Sequence, residues 1–324
     1  MTDLHFSLLK GTPWSGAAPV SMAGDASSRS YYRLAGGEKP AVLMIDPDPD
    51  TVEKFLKIAK LLKKREFSAP EIYHVDVESG VVILEDLGDG LLASLIDKDP
   101  NCEKDLYQLA VDFLIRQKGL EKPIGLPFFS QSYVLDQNAA FLDFYVPEIL
   151  GAPLADNARY FFHQIWVELL KQIDVEQEVF LHRDFHAQNL LYLPDRSGLH
   201  RLGLLDFQDA MTGPAAYDLA SLLQDVRRQV DPDIAQKMIE YYISETNVDE
   251  KAFKRDFAIL GAHRCLRILG VFTRLSKLEG KNQYIALLPR VIGHLNDNLA
   301  HPDLLALKHW IKVTLGTHQA EVRL

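Results

Sequence analysis

Cysteine is scarce in this sequence of 324 residues: Cys102 and Cys265 stand far apart and outside any metal-ligand spacing, which excludes a disulfide framework and a thiolate metal centre. No run of about 18 apolar residues is present to span a bilayer. Met1-Thr2-Asp3-Leu4 lacks the basic start and apolar core of a secretory leader. These absences predict a cytoplasmic protein with no membrane partner. A basic block is missing too: the formal net charge is −10 and the Lys and Arg residues are scattered, which argues against a nucleic-acid partner. No internal repeat or low-complexity segment interrupts the chain. What is there is an ordinary globular composition, 47% hydrophobic, long enough for two domains or one two-lobed unit. Nothing in it fixes an oligomeric state, so a monomer is the default.

The chemistry concentrates in Leu181-His182-Arg183-Asp184-Phe185-His186-Ala187-Gln188-Asn189, followed by Leu204-Leu205-Asp206-Phe207. An H-x-D-x-x-x-x-N loop followed by an apolar strand ending in Asp-Phe is the layout that kinase-like folds use for phosphoryl transfer. Asp184 would take the proton of an attacking hydroxyl. Asn189 and Asp206 would hold Mg²⁺, a hard cation satisfied by a few oxygen ligands beside the phosphates of ATP. His182 is expected to brace the loop, packing against Phe207. Either half of the motif alone is common in surface turns; the two together, joined by the strand-like Leu190–Leu193 and Leu202–Leu205 with a turn at 194–198, predict a β-hairpin with functional groups at its ends.

Upstream, Gly24 to Ser30 is a loop of small polar residues ahead of two strands, Tyr31–Leu34 and Ala41–Ile45. Such a loop suits phosphates, so Ser27, Ser28 and Arg29 are candidate nucleotide contacts. A G-x-G-x-x-G is absent, however, and the second strand carries no Lys; Arg29 or Arg33 is the candidate replacement cation. Residues 51–64 have the apolar spacing of an amphipathic helix. Two strands near 72–75 and 81–84 follow, and the turn from Glu85 to Gly88, including Leu87, would offer backbone groups to an adenine edge. The chain becomes mainly helical from Leu91. This predicts an α+β, two-lobed, protein-kinase-like fold, with a small β-rich N-lobe over 1–88 and a larger, mainly helical C-lobe over 89–324.

After Asp206 the chain goes almost directly from Gln208–Pro214 into a helix, leaving no long segment ending in A-P-E on which a peptide could lie. A small-molecule acceptor is expected. Asp218 interrupts the apolar start of that helix, and a buried carboxylate needs donors, which the backbone of the catalytic loop could supply. The long helix around 259–278 is apolar yet carries His263, Arg264, Arg267 and Arg274, some of which must reach a cleft or solvent. For the acceptor, His186, Gln188, Gln208, Asp209 and Arg264 are candidate contacts, with local bracing of the loops as the alternative.

These segments resemble the aminoglycoside-phosphotransferase-like small-molecule kinases, and within them the anomeric N-acetylmuramate/N-acetylglucosamine kinases of cell-wall recycling. The resemblance rests on His182-Arg183-Asp184 with Asn189, on Asp25-Ala26-Ser27 with Arg29, Tyr31 and Arg33, on Leu205–Ala210 with Gly213-Pro214 and Tyr217–Leu222, and on Leu266–Phe272 with Arg274-Leu275. It implies ATP as donor, Mg²⁺, Asp184 as base, and an amino-sugar 1-phosphate as product. Cys265 departs from the His that the resemblance leads one to expect beside Arg264. A choline-like or aminoglycoside acceptor stays open through Asp143, Glu148 and Asp209, as does a non-catalytic nucleotide-binding protein.

Overall fold

The computed structural model describes residues 9–22, 29–37, 39–173 and 178–316, and its backbone divides into two compact units. One comprises Met1–Ala110 with Ala187–Ala210, the other Val111–His186 with Met211–Leu324. The division expected near residue 88 thus falls later, inside a helix, and the hairpin after the catalytic loop belongs with the first unit. Its backbone explains this: Ala93 N–H donates to Ala187 O at 3.0 Å, and Tyr192 N–H donates to Gly90 O at 2.7 Å. Ser27 and Ser28 lie outside the described residues.

In the first unit, β1 (Ala18–Ser21), β2 (Ser30–Ala35), β3 (Ala41–Ile45), β4 (Ile72–Asp76) and β5 (Val81–Glu85) form an antiparallel five-stranded sheet in the order β1-β2-β3-β5-β4. Ala18–Ser21 pairs with Tyr32–Ala35, where β2 would otherwise expose an unpaired edge. Alternation divides the central strands between two faces. Ala41, Leu43, Val81 and Ile83 join Trp14, Ala17 and Leu34 in one core cluster. Val42, Met44, Val82 and Leu84 are buried on the other side. Between β3 and β4, α1 (Pro49–Lys64) starts on its Asp48 cap and turns Val52, Phe55, Ile58, Ala59 and Leu62 inward. Gly80 closes the turn before β5: its φ is +69°, and a Cβ there would lie 1.8 Å from Asp46 O, so only glycine lets the two backbones meet. The short helix α2 (Leu92–Lys98) and the 16-residue α3 (Glu103–Lys118) lead out of the sheet.

The second unit is mainly helical. It contains α4 (Gln131–Ala140), α5 (Val146–Leu150) and α6 (Asp156–Leu170), then the strand β6 (Glu178–Leu181). The hairpin expected from the sequence forms as β7 (Leu190–Tyr192) and β8 (Leu202–Leu204), but it belongs to the first unit and not to the C-lobe in which the sequence reading placed it. The chain returns as β9 (Met211–Pro214), which pairs antiparallel with β6, where the sequence had suggested a direct run into a helix. Then come α7 (Ala216–Leu223), α8 (Pro232–Thr246), α9 (Glu250–Glu279), α10 (Leu288–Asn298) and α11 (Leu305–Leu315). The 30-residue α9 starts on its Asp249 cap and stops at Gly280 in the left-handed region, φ +67°. Midway, Gly270 brings it against the end of α4, since a Cβ there would lie 2.2 Å from Phe141 N. No described helix is long and apolar enough to cross a membrane.

Candidate active site

In the second unit the catalytic loop leaves β6 and is held by one carboxylate. Asp218, 1% exposed on α7, accepts from His182 N–H at 2.6 Å and from Arg183 N–H at 2.9 Å, one donor on each oxygen. This is the role expected of it from the sequence. Burial pushes the Asp218 carboxyl up to about 7 against the pull of these two donors. Between the two anchored amides and Asp184 the backbone takes an unusual turn, with Arg183 at φ +76°. A side chain in that region signals strain overcome by its surroundings. The Arg183 guanidinium also lies over the Tyr133 ring, 5.4 Å from its centroid. His182 is fully buried and packs edge-on to Phe185 at 5.7 Å; Phe207, the neighbour expected for it, stacks on Phe55 of α1 at 4.9 Å.

Asp184 is half-buried. Burial would raise its carboxyl, but the charges of Arg267, His186, Arg183 and His182 outweigh that and hold it down at about 2. Asp184 is therefore ionised across the physiological range, and its foremost cation is Arg267, whose Nε is fixed by Gln137 Oε1 at 3.1 Å. His186, two residues on, is 3% exposed and takes its Nε2 to within 3.1 Å of Arg227 Nη1. Burial, with Arg227 and Arg264 nearby, lowers the imidazole to about 4, so it is neutral at pH 7. Arg264 is turned to structure: 3% exposed, it donates from Nη1 to Gln224 O at the end of α7. His263 is likewise internal, with Nδ1 2.9 Å from Asn138 Oδ1.

The remaining candidates stand in the first unit. Leu205 N–H donates to Asn189 O at 2.9 Å, fixing the backbone of one candidate metal ligand beside the residue that precedes the other. Asp206 itself has φ +57°, a second non-glycine residue in the left-handed region at a functional position. Its Oδ1 accepts from Gln208 Nε2 at 3.0 Å and from Arg29 Nη2 at 3.2 Å. Arg29 also donates from Nη1 to Gln208 Oε1 at 2.9 Å and pairs through Nε with the 2%-exposed Asp46 at 3.6 Å. Asp46 ends the very strand in which a Lys was sought. Arg29 reaches it from the preceding loop. Asn189 and Asp206 form a hard-oxygen donor set that fits Mg²⁺ completed by phosphates. Among the described residues no cluster of three or more His, Cys, Asp or Glu side chains offers a metal cage.

Arg33, the other cationic candidate, is committed to the turn after β5: Nε meets Asp86 Oδ2 at 2.6 Å and Nη2 meets Asp89 Oδ1 at 2.8 Å. Asp86 also accepts from Gly88 N–H at 2.9 Å, so Leu87 stands between two pinned residues. Glu85 turns its side chain to Arg196 Nη2 at 2.5 Å. Gln188 and Asp209 are exposed. Two acids that had kept a cationic acceptor open are paired: Asp143 with Arg159 at 2.6 Å, and Glu148 with Lys277. Sequence reasoning passed over Asp46, Arg227 and, as a partner of the base, Arg267. Arg267 had one signal, a charged residue in an apolar helix, but not which face it occupied.

The family described as phosphotransferase enzyme family matches residues 20–254. A protein of Caulobacter vibrioides named N-acetylmuramate/N-acetylglucosamine kinase is 33% identical, over 90% of this chain and 90% of its own length. One of the same name from Neisseria meningitidis is 30% identical, over 84% of this chain and 83% of its own. Among solved structures, a choline/ethanolamine kinase family protein from Mesorhizobium loti superposes with a TM-score of 0.65 at 13% identity, covering 96% of this chain and 99% of its own. A choline kinase from Streptococcus pneumoniae gives 0.64 at 15% identity, over 91% and 100%. At that identity the likeness is one of fold: a protein-kinase-like architecture.

Proposed function

Because the chain belongs to the phosphotransferase enzyme family, we propose that it is an amino-sugar kinase that phosphorylates the anomeric hydroxyl of an N-acetylmuramate- or N-acetylglucosamine-type acceptor. The observation that carries this reading is the 33% identity along 90% of both chains to a relative of that name. Asp184, ionised and fixed by its loop, accepts the hydrogen bond of the anomeric hydroxyl and takes its proton as the oxygen attacks. Asn189 and Asp206 hold Mg²⁺. Bound Mg·ATP would supply the γ-phosphoryl group, with the cation neutralising negative charge on the phosphate oxygens as the bond to the departing ADP breaks. The turn around Leu87 receives the adenine edge through its backbone, braced by Arg33 on Asp86. Gln188, Asp209 and His186 are offered to the sugar hydroxyls.

Arg29 takes the part of the missing strand lysine. Planar and always charged, it can keep Asp46 and Gln208 while turning one edge to the phosphates. Arg29→Ala is expected to weaken nucleotide binding by about tenfold or more, the worth of a charge-assisted hydrogen bond. Arg29→Lys restores only part of it. Fluorescence titration with a nucleotide analogue measures this without turnover, and unchanged affinity in the Ala variant would remove Arg29 from the phosphate site.

The reading as a whole is tested by ATP consumption with N-acetylmuramate, N-acetylglucosamine, choline and an aminoglycoside. Turnover with the amino sugars and formation of an acid-labile sugar 1-phosphate are expected. Turnover with choline or the aminoglycoside alone would sink the reading. The pairing of Asp143 and Glu148 with cations counts against those positively charged acceptors.

A further inference from the structure

Along the middle of α9, residues 258–270 are buried with one exception, Arg267, which is half-buried. A charged side chain amid core positions reaches water only through a recess. Four other half-buried side chains of the second unit mark where that recess lies: Tyr133 and Gln137, one turn apart on α4, and Arg183 and Asp184 of the catalytic loop. They are tied to one another. Arg267 Nε donates to Gln137 Oε1 at 3.1 Å, and the Arg183 guanidinium covers the Tyr133 ring at 5.4 Å. Asp184 and Arg267 act on one another through their charges, and both act on Tyr133. The recess therefore opens beside the candidate base.

Of the five N–H donors of the Arg267 guanidinium, Gln137 takes the one on Nε. Near the others stands the Tyr217 hydroxyl, a neutral group, and among the described residues no carboxylate or backbone carbonyl is hydrogen-bonded to them. The Tyr133 and Tyr217 hydroxyls are themselves buried and have no hydrogen-bond partner among the described residues. Polar groups left in this way find partners in ordered water or in a ligand. A guanidinium cannot accept a hydrogen bond, so the ligand atom that satisfies it is an oxygen with lone pairs. A carbonyl meets that need; an ammonium, which is also donor-only, does not. Because Asp184 takes the attacked hydroxyl, the group that meets Arg267 belongs to a neighbouring position of the acceptor. In an N-acetylated amino sugar attacked at its anomeric hydroxyl, the adjacent carbon bears the acetamido group.

We propose that Arg267 is a specificity-determining residue whose remaining edge donates to the acyl carbonyl of the acetamido group, selecting an N-acylated amino sugar over the corresponding free amine. The inference rests on the amino-sugar reading above and deepens it by naming the group that is recognised. Selection against the amine follows from donor and acceptor matching and needs no net charge in the recess. Gln137 is the residue that positions Arg267 for the contact.

The test is the ratio of kcat/KM for N-acetylglucosamine to that for glucosamine, at a pH at which the amine is protonated, in the wild type, Arg267→Met and Arg267→Lys. Taking the ratio cancels whatever both acceptors share, including any change in the ionisation of Asp184. Arg267→Met is expected to lower the ratio by about tenfold or more, the worth of a charge-assisted hydrogen bond. Arg267→Lys recovers part of it, keeping charge and donors but not the planar fork. N-acetylmuramate carries the same acetamido group, so its kcat/KM relative to that of N-acetylglucosamine is expected to change by less than about twofold. A ratio of N-acetylglucosamine to glucosamine within about twofold of wild type in the Met variant overturns the assignment, because an arginine that only sets the base or meets the phosphoryl group affects both acceptors alike. Equal use of the two acceptors by the wild type overturns it too. A wild type that turns over neither N-acetylated sugar overturns the amino-sugar reading underneath; the other two failures leave that turnover intact. Equilibrium binding of both sugars to the Asp184→Asn protein, with and without Arg267→Met, provides the same ratio where the Met variant has lost all turnover.

Discussion

Asp184→Asn is expected to lower kcat by about 10²–10⁴, the range that a positioned general base contributes, while the nucleotide still binds. The amide keeps the shape of the carboxylate and can accept the hydroxyl's hydrogen bond, but it cannot take the proton. Asp184→Glu keeps the charge and moves it by a methylene, which near-attack geometry tolerates poorly; a loss of about 10² is expected. The pH profile separates this base from an ordinary carboxylate. With its carboxyl held at about 2 in the folded protein and near 3.8 when unfolded, Asp184 is ionised throughout the range in which the protein works. Its contribution to stability is present above about 4 and is lost as pH falls through about 2. The acid limb of kcat/KM therefore does not report this residue above about pH 4. Arg267→Met removes the foremost lowering charge and leaves burial to act, so an acid limb is expected to enter the accessible range. If the limb stays where it is, Arg267 does not set the state of the base. Rate measurements from pH 5 to 9 on the wild type and Arg267→Met decide the matter.

How much of this could be read from the sequence depends on whether chemistry fixed the residue type. Asp184, Asn189 and Asp206 are tied to an order and a spacing, and Asp218 stands out as an acid in an apolar helix; the structure puts Asp218 where that reading expected it, on the His182 and Arg183 amides. Long-range partners leave no such trace. Arg29 meets Gln208 across 179 residues of chain and Asp206 across 177, and neither pairing has a local signature. Asp46 looked like a strand-end acid until burial showed that it had to be neutralised. On α9, His263, Arg264 and Arg267 are close neighbours in sequence, yet His263 and Arg267 turn to Asn138 and Gln137 of α4 while Arg264 turns to Gln224 O. At about 100° per residue those directions are fixed only once the helix is docked. The left-handed backbone at Arg183 and Asp206 was also invisible, since neither residue type advertises it. β1 could not be inferred either, because an edge strand of four residues forms through its neighbour's unpaired groups more than through its own propensity.

The second large effect is expected at Asp218, which touches no reacting group. Asp218→Asn keeps the volume but turns an amide NH₂ toward one of the two backbone N–H donors, leaving that donor unsatisfied in a site with 1% exposure. A buried donor without a partner costs about 1–3 kcal/mol, and the loop that carries Asp184 is what pays in geometry: a fall in kcat of about 10² is expected from its displacement. Asp218→Leu orphans both donors and should be worse in stability and rate. The pH dependence of stability provides a check that a simple packing defect would not reproduce. Burial raises the Asp218 carboxyl to about 7, above its unfolded value of 3.8, so the fold favours the protonated form. The stability from this group is full below about pH 4 and declines as pH rises through about 7. The Asn variant has no proton to lose. Its unfolding free energy, measured by denaturant titration at pH 5 and pH 8, is expected to lie below that of the wild type at both, with the gap narrower at pH 8. A gap of equal size at the two pH values would mean that Asp218 stays ionised in the fold, its two backbone donors outweighing its burial.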